Sequence, residues 1–196
     1  MQRSLVGSEM CIRDSFSRLP QLGTDRLILR RMTMADAQDI FAYSRDPEVS
    51  RYVLWDAHRS IHDSRAYLRY LQRQYRNNDP SSWGIQLRET GHIIGTIGYM
   101  WWNQEYRSAE VGYSLSRAYW NRGLMTEALR EVIRFGFDRM LLHRIEAQHE
   151  VENPASGRVM EKAGMRREGV LRGRLYNKGK YVDVVLYAIL REDRRF

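Results

Sequence analysis

Cysteine occurs once in the 196 residues, at Cys11, so the chain offers neither an internal disulfide nor a zinc site of several cysteines. No apolar run is long enough to span a bilayer, and none resembles the apolar centre of a secretory signal. A soluble, cytoplasmic protein is the expectation. The histidines, His58, His62, His92, His143 and His149, lack the spacing of a helical zinc-binding pair, so no metal is expected. Lysine is confined to Lys162, Lys178 and Lys180, so the net charge of +8 is carried by arginine. Such a balance favours anionic partners, whether nucleic acid, ribosome or a phosphorylated cofactor, without choosing among them.

What is present is globular: 43% hydrophobic and 29% charged residues, enough for one domain with a sizeable core. DRLILRRM reads as a strand after the turn residues Gly23 and Thr24. A helix with Thr33 as its N-cap follows, with Ala37, Ile40 and Phe41 at helical spacing, and Pro47 ends it. IHDSRAYLRYLQRQYRNN reads as a second helix. SWGIQLRE, HIIGTIGYMWW and SAEVGYSLS read as three hairpin-connected strands. From Leu124 the period changes, and Leu124, Ala128, Leu129, Val132, Ile133 and Phe137 form one helical stripe. HRIEAQHEV is a strand, NPASGRVMEKAG a short helix, GRLYNKGKY a loop and YVDVVLYAIL a last strand. The order β-α-α-β-β-β-α-β-α-β predicts a single α/β (α+β) domain with a mixed sheet.

Two segments carry chemistry. In YSLSRAYWNRGLMTEAL a strand ends, turns at Asn121, Arg122 and Gly123, and enters a long amphipathic helix. Unpaired backbone N–H groups and the positive end of the helix dipole converge there, an anion site suited to a pyrophosphate. An ordinary strand–helix turn that needs a glycine has the same sequence, and one glycine does not separate the two. In EVENPASGRVMEKAGM, Asn153 suits the N-cap, Pro154 the first helical position and Gly164 the C-terminal cap, with Ser156 in the first turn. Plain capping accounts for these residues as well.

Together the segments resemble the GCN5-related N-acetyltransferase (GNAT) superfamily, in particular its ribosomal-protein N-terminal acetyltransferase (RimJ/RimL-like) branch. TDRLILRRMTMADAQDI, AEVGYSLSRAYWNRGLMTEALREVIRFGF, HRIEAQHEVENPASGRVMEKAGMRREGVLR and YVDVVLYAIL carry the resemblance in register, from about Leu22 to Leu190. It implies a sheet in which two central strands splay apart, with flanking helices, and acetyl-CoA as co-substrate. The pantetheine arm would pair with the strand through Val111, Gly112, Tyr113 and Leu115. The pyrophosphate would rest on Asn121, Arg122, Gly123, Leu124, Met125 and Thr126. Asn153 would bond the pantetheine, and Ser156 would lie near the thioester. The chain departs from the family's loop pattern at Trp120 and Met125, and has Met160 where many members place a tyrosine acid.

Acetyl transfer by direct attack needs no enzyme nucleophile. It needs a neutral amine, a polarised carbonyl and a proton for the leaving thiolate. Glu110 is the candidate base and Ser156 the candidate acid, with His149 a weaker base candidate. The backbone amide near Val111 or Gly112 is the candidate polariser of the carbonyl. Trp55 and His58, between the first two helices, and Tyr176 and Asp183, late in the chain, are substrate-side candidates. Some relatives place a glutamate where this chain has Leu175. A protein N-terminal amine, such as that of a ribosomal protein, is the first expectation for the acceptor. A polyamine, amino acid or aminoglycoside is next, for which Glu48, Asp56 and Asp63 offer a carboxylate-lined cleft. A catalytically silent ribosome- or RNA-binding module is a third reading, although direct nucleic-acid binding is not expected.

The segment Met1–Ser15 lies outside this resemblance, and LVGSEMCIRDS resembles an in-frame translation of a transposase adapter used in sequencing libraries. It is expected to be foreign to the natural chain. Its charged residues, Arg3, Glu9, Arg13 and Asp14, sum to zero, and no function is assigned to Cys11.

Overall fold

The computed structural model describes residues 16–194, so the reading of Met1–Ser15 lies outside the described residues. After the short strand β1 (Leu22–Gly23) and β2 (Leu27–Arg30) come α1 (Ala37–Ser44), the one-turn helix α2 (Pro47–Ser50) and α3 (Ile61–Asn77). A meander of β3 (Ser82–Leu87), β4 (Ile93–Asn103) and β5 (Ser108–Leu115) leads into α4 (Leu124–Asp138). β6 (Arg144–Glu150), α5 (Pro154–Lys162), β7 (Arg166–Asn177) and β8 (Lys180–Leu190) complete the chain. The strands form one mixed sheet in the order β1-β2-β3-β4-β5-β6-β8-β7, the α/β architecture expected. Among the described residues, no helix is long and apolar enough to cross a membrane.

Two local readings need correcting. Pro47 opens α2, with the Asp46 side chain accepting from the Glu48 N–H, and α1 already ends at Ser44. The late segment read as a loop is strand β7, joined to β8 through Lys178 and Gly179 at φ 50° and 82°. Two positive φ values suit the twist of a tight hairpin. β7 is the outer edge of the sheet and is exposed along nearly its whole length, so burial imposes no alternation of apolar and polar residues on it.

α4 is the keel of the core. Its apolar stripe packs on the sheet, with Trp83 and Phe135 edge to face at 5.3 Å. The buried Tyr99 hydroxyl donates to the Val132 carbonyl at 2.8 Å, and a Cβ at Gly136 would lie 2.3 Å from the Tyr99 hydroxyl oxygen. A glycine here is a space requirement. On the other face, α1 and α3 pack against each other and α1 lies over β4.

The feature that positions the site lies between β5 and β6. These strands run parallel and share only the pairs Ser108–Arg144, Ala109–Ile145 and Glu110–Glu146. Beyond Glu110, β5 keeps its antiparallel ladder with β4, while β6 stays on β8. The two central strands splay, as expected.

Candidate active site

The open side of β5 faces a cavity of about 700 Å³. Tyr113, Ser114 and Leu115 form its floor, the turn into α4 one wall and α5 from Pro154 to Lys162 another. Val49, Tyr52 and Val53 of α2 and the loop after it add an apolar rim that the sequence reading did not include.

The α4 wall has the geometry of an anion site. Asn121 and Gly123 adopt φ of 60° and 74°, and the first intrahelical bond is from the Glu127 N–H to the Gly123 carbonyl at 3.1 Å. The N–H groups of Leu124, Met125 and Thr126 therefore precede the helical ladder and have no intrahelical acceptor. The strand β2 entry fixes this turn from behind. Arg26 donates from Nε to Glu127 at 2.7 Å and from its guanidinium to the Arg122 carbonyl at 3.0 Å. Burial tends to raise the Glu127 pKa, but hydrogen bonds from Thr24 and Arg26 outweigh it and hold the carboxyl below its ordinary value. The Arg122 guanidinium lies over the Tyr119 ring, 5.3 Å from its centre. Trp120 donates its indole N–H to the Leu115 carbonyl at 2.8 Å, tying the strand end to the turn. Leu124 and Met125 are buried in the core, which leaves only the backbone of this stretch and Thr126 to the cavity side.

On the opposite wall, Asn153 occupies the N-cap position of α5, but its side chain makes no capping hydrogen bond. It lines the cavity instead, and the Ser156 N–H bonds the Asn153 carbonyl at 3.2 Å. Ser156 Oγ lies 2.9 Å from the Tyr113 hydroxyl. Desolvation raises the Tyr113 pKa well above the ordinary tyrosine value, against the opposing effect of the Ser156 hydrogen bond, so the phenol is neutral. Tyr113 entered the sequence reading only through its backbone; its partner is 43 positions away, and no local pattern announces the contact.

Glu110 stands at the last shared pair of the two splayed strands. One carboxylate oxygen accepts from the Trp101 indole at 2.6 Å, the other from the Gln148 amide at 2.9 Å. Alternation along β5 projects Glu110 to the face opposite Val111 and Tyr113. A Cβ at Gly112, on the Glu110 face, would lie 2.8 Å from Met100 Sδ, so Met100 covers this part of the strand. His149 is on the other face, buried under α5 with its ring 5.7 Å from Tyr187 and Nδ1 2.7 Å from the Glu150 carbonyl.

The substrate-side candidates fall into two groups. Trp55 and His58 lie ring to ring at 5.7 Å, with His58 Nδ1 2.8 Å from Ser64 Oγ. Burial lowers the His58 pKa against the opposing charge of Asp63, which favours the neutral ring. Lys178 at the hairpin tip donates to the Trp55 carbonyl at 2.7 Å and to Asp56 at 2.8 Å, clasping this loop. Tyr176 instead packs on Tyr181 at 5.1 Å with both rings exposed, and Asp183 accepts the Gly173 N–H at 2.7 Å. These side-chain contacts lie within the β7–β8 hairpin. The carboxylates of the alternative cleft are each engaged separately: Glu48 with Arg51, Asp56 with Lys178, and Asp63 with the backbone N–H groups of Arg59 and Ser60.

Comparison with known proteins identifies the family. The family described as "Acetyltransferase (GNAT) domain" matches residues 26–166. The chain is 37% identical over 172 residues to the uncharacterized N-acetyltransferase YoaA of Bacillus subtilis, covering 88% of this chain and 97% of YoaA. It is 26% identical over 183 residues to the [ribosomal protein uS5]-alanine N-acetyltransferase of Escherichia coli, covering 88% and 92% respectively. The structure of Mycobacterium smegmatis RimJ in complex with CoA-disulfide superposes with a TM-score of 0.79 at 24% identity, over 92% of this chain and 91% of that one. The chain belongs to the GNAT family of acetyltransferases, which take their acetyl group from acetyl-CoA.

Proposed function

We propose that the chain acetylates a protein N-terminal α-amine by direct attack on acetyl-CoA in a ternary complex. One observation carries this reading: at the point where β5 and β6 part, Glu110 faces one side of the sheet, and the Tyr113–Ser156 hydroxyl pair the other. The amine enters from the Glu110 face, and the coenzyme lies on the hydroxyl side. Glu110 accepts a proton from the amine through an intervening water as the N–C bond forms. The carbonyl is polarised by backbone N–H of the open strand near Val111 or Gly112. As the C–S bond breaks, Ser156 passes its proton to the leaving thiolate and takes one back from a cavity water, while Glu110 returns the amine's proton to solvent. The pyrophosphate is held by the amides from Asn121 to Thr126, and Asn153 bonds the pantetheine arm.

The surroundings of Glu110 support a peptide acceptor. Its neighbours Trp101 and Met100 are exposed apolar side chains, and the same-face carboxylate Glu146 is tied to Arg144 at 2.6 Å, which Glu168 shares. A polycationic amine calls for several free carboxylates, whereas Glu48, Asp56 and Asp63 are each engaged elsewhere. A neutral amine on a peptide main chain fits one base beside an aromatic wall. The activity of the E. coli relative, on the alanine of ribosomal protein uS5, points the same way.

The test is thiol release from acetyl-CoA with N-terminal peptides, spermidine and an aminoglycoside in parallel, with the acetylated atom located by mass spectrometry. Acetylation of a peptide α-amine is expected. Turnover of spermidine or the aminoglycoside with no peptide turned over would overturn the acceptor assignment.

A further inference from the structure

The cofactor cavity contains a second concentration of positive charge besides the turn into α4. Arg158 and Lys162 both line it, four residues apart on α5 and thus on one helix face. Among the described residues, neither side chain makes an ion pair or a hydrogen bond. Like charges at this spacing repel and cost helix stability unless an anion lies between them.

The carboxylates nearby do not fill that role. Glu161, between the two cations in sequence, accepts from the Tyr187 hydroxyl at 2.9 Å on another face of the helix. Of the two glutamates that line the cavity, Glu152 pairs with Lys180 at 3.8 Å and Glu48 with Arg51 at 3.5 Å, two cations that do not line it. The α5 wall is therefore left with net positive charge. Its distance from the α4 wall is braced by Arg130, which donates to the Lys162 carbonyl at 2.6 Å.

We infer that Arg158 and Lys162 form a second anion subsite that takes the 3′-phosphate on the ribose of the coenzyme. The two subsites differ in kind, and the ligand's phosphates differ to match. A pyrophosphate diester, with one charge per phosphorus, suits neutral amides and a helix dipole. A monoester phosphate approaches two charges near neutral pH and suits formally charged donors. The pair thus selects coenzyme A over thioesters that lack the 3′-phosphate. This rests on acetyl-CoA as the co-substrate and adds a specificity for one of its groups.

Isothermal titration of the full chain with CoA and with 3′-dephospho-CoA tests it. The wild type should bind CoA roughly tenfold more tightly, and the preference should shrink as salt rises from about 50 mM to about 500 mM. The double variant Arg158→Met/Lys162→Met, which keeps the apolar stems, should bind both ligands with the wild-type affinity for dephospho-CoA. Lys162→Arg should retain the preference. A wild-type ratio below about twofold, a ratio unmoved by salt, or parallel weakening of both ligands in the double variant would overturn the subsite. Failure of the wild type to bind either ligand would instead overturn acetyl-CoA as the co-substrate, so the two failures are distinguishable.

Discussion

The Tyr113 hydroxyl lies 2.9 Å from Ser156 Oγ and 3.1 Å from the Ser156 carbonyl oxygen. One residue belongs to β5 and the other to the first turn of α5, so the contact spans the mouth of the splayed strands. The neutral phenol has one proton and two acceptors within reach, the Ser156 carbonyl oxygen and Oγ; donated to Oγ, it leaves the serine proton to point into the cavity. Ser156→Ala should lower kcat about a hundredfold, the low end of the range for a general acid. Tyr113→Phe should lower it about tenfold, with the KM for acetyl-CoA unchanged, because it removes orientation and leaves the acid in place. In the Ser156→Ala background, Tyr113→Phe should cost nothing further. Additive losses in steady-state kinetics would show that the two hydroxyls act separately.

Glu110→Gln separates base from brace. The amide oxygen still accepts one hydrogen bond from Trp101 or Gln148, so the fold and CoA binding should be retained. Loss of the base should lower kcat/KM by a factor of about 10² to 10³. A variant with kcat/KM within about threefold of wild type would assign Glu110 a purely structural role.

Gly123→Asp should abolish CoA binding in calorimetry and remove the thermal shift that CoA induces. At φ 74° an aspartate is strained, and its charge opposes a pyrophosphate on the adjacent amides. Gly123→Ala introduces the strain without the charge and should weaken binding by a smaller factor. Normal CoA affinity in the aspartate variant would remove the pyrophosphate from this turn.

A stability prediction comes from the buried pair Arg30–Asp36, 2.7 Å apart. Burial acts to raise the Asp36 pKa, but hydrogen bonds from Arg30 and Thr33 outweigh it, and the folded value lies below the ordinary one. The stabilisation is therefore full above the unfolded pKa, near 4, and is lost as pH falls through the folded value. Asp36→Asn should cost about 1–3 kcal/mol at neutral pH. Denaturant melts should show the gap to wild type closing below about pH 4. A gap independent of pH would exclude this linkage.

The sequence made legible whatever depends on local periodicity. α4 could be read because Leu124, Ala128, Leu129, Val132 and Ile133 recur at helical spacing, and its first turn followed from Gly123. β7 was misread because an edge strand with both faces exposed carries no alternating pattern, and its identity comes only from pairing with β8. The Tyr113–Ser156 pair, the Arg26 brace behind the loop and the Lys178 clasp join residues 43 to 123 positions apart, beyond the reach of spacing arguments. For Asn153 the sequence offers both a cap and, through the family resemblance, a pantetheine contact, and spacing cannot separate them; in the structure its side chain makes no capping bond.

Three residue pairs are all that β5 and β6 share. The sheet is therefore two plates, five strands on one side and three on the other, riveted at one end and free at the other. A ligand lying along the free margin of β5 and touching α5 acts as a removable splint between the plates. Occupancy then governs stiffness: hydrogen exchange of the Tyr113–Leu115 amides and the first turn of α5 reports loading of the coenzyme, while the riveted end at Ala109 and Ile145 stays silent.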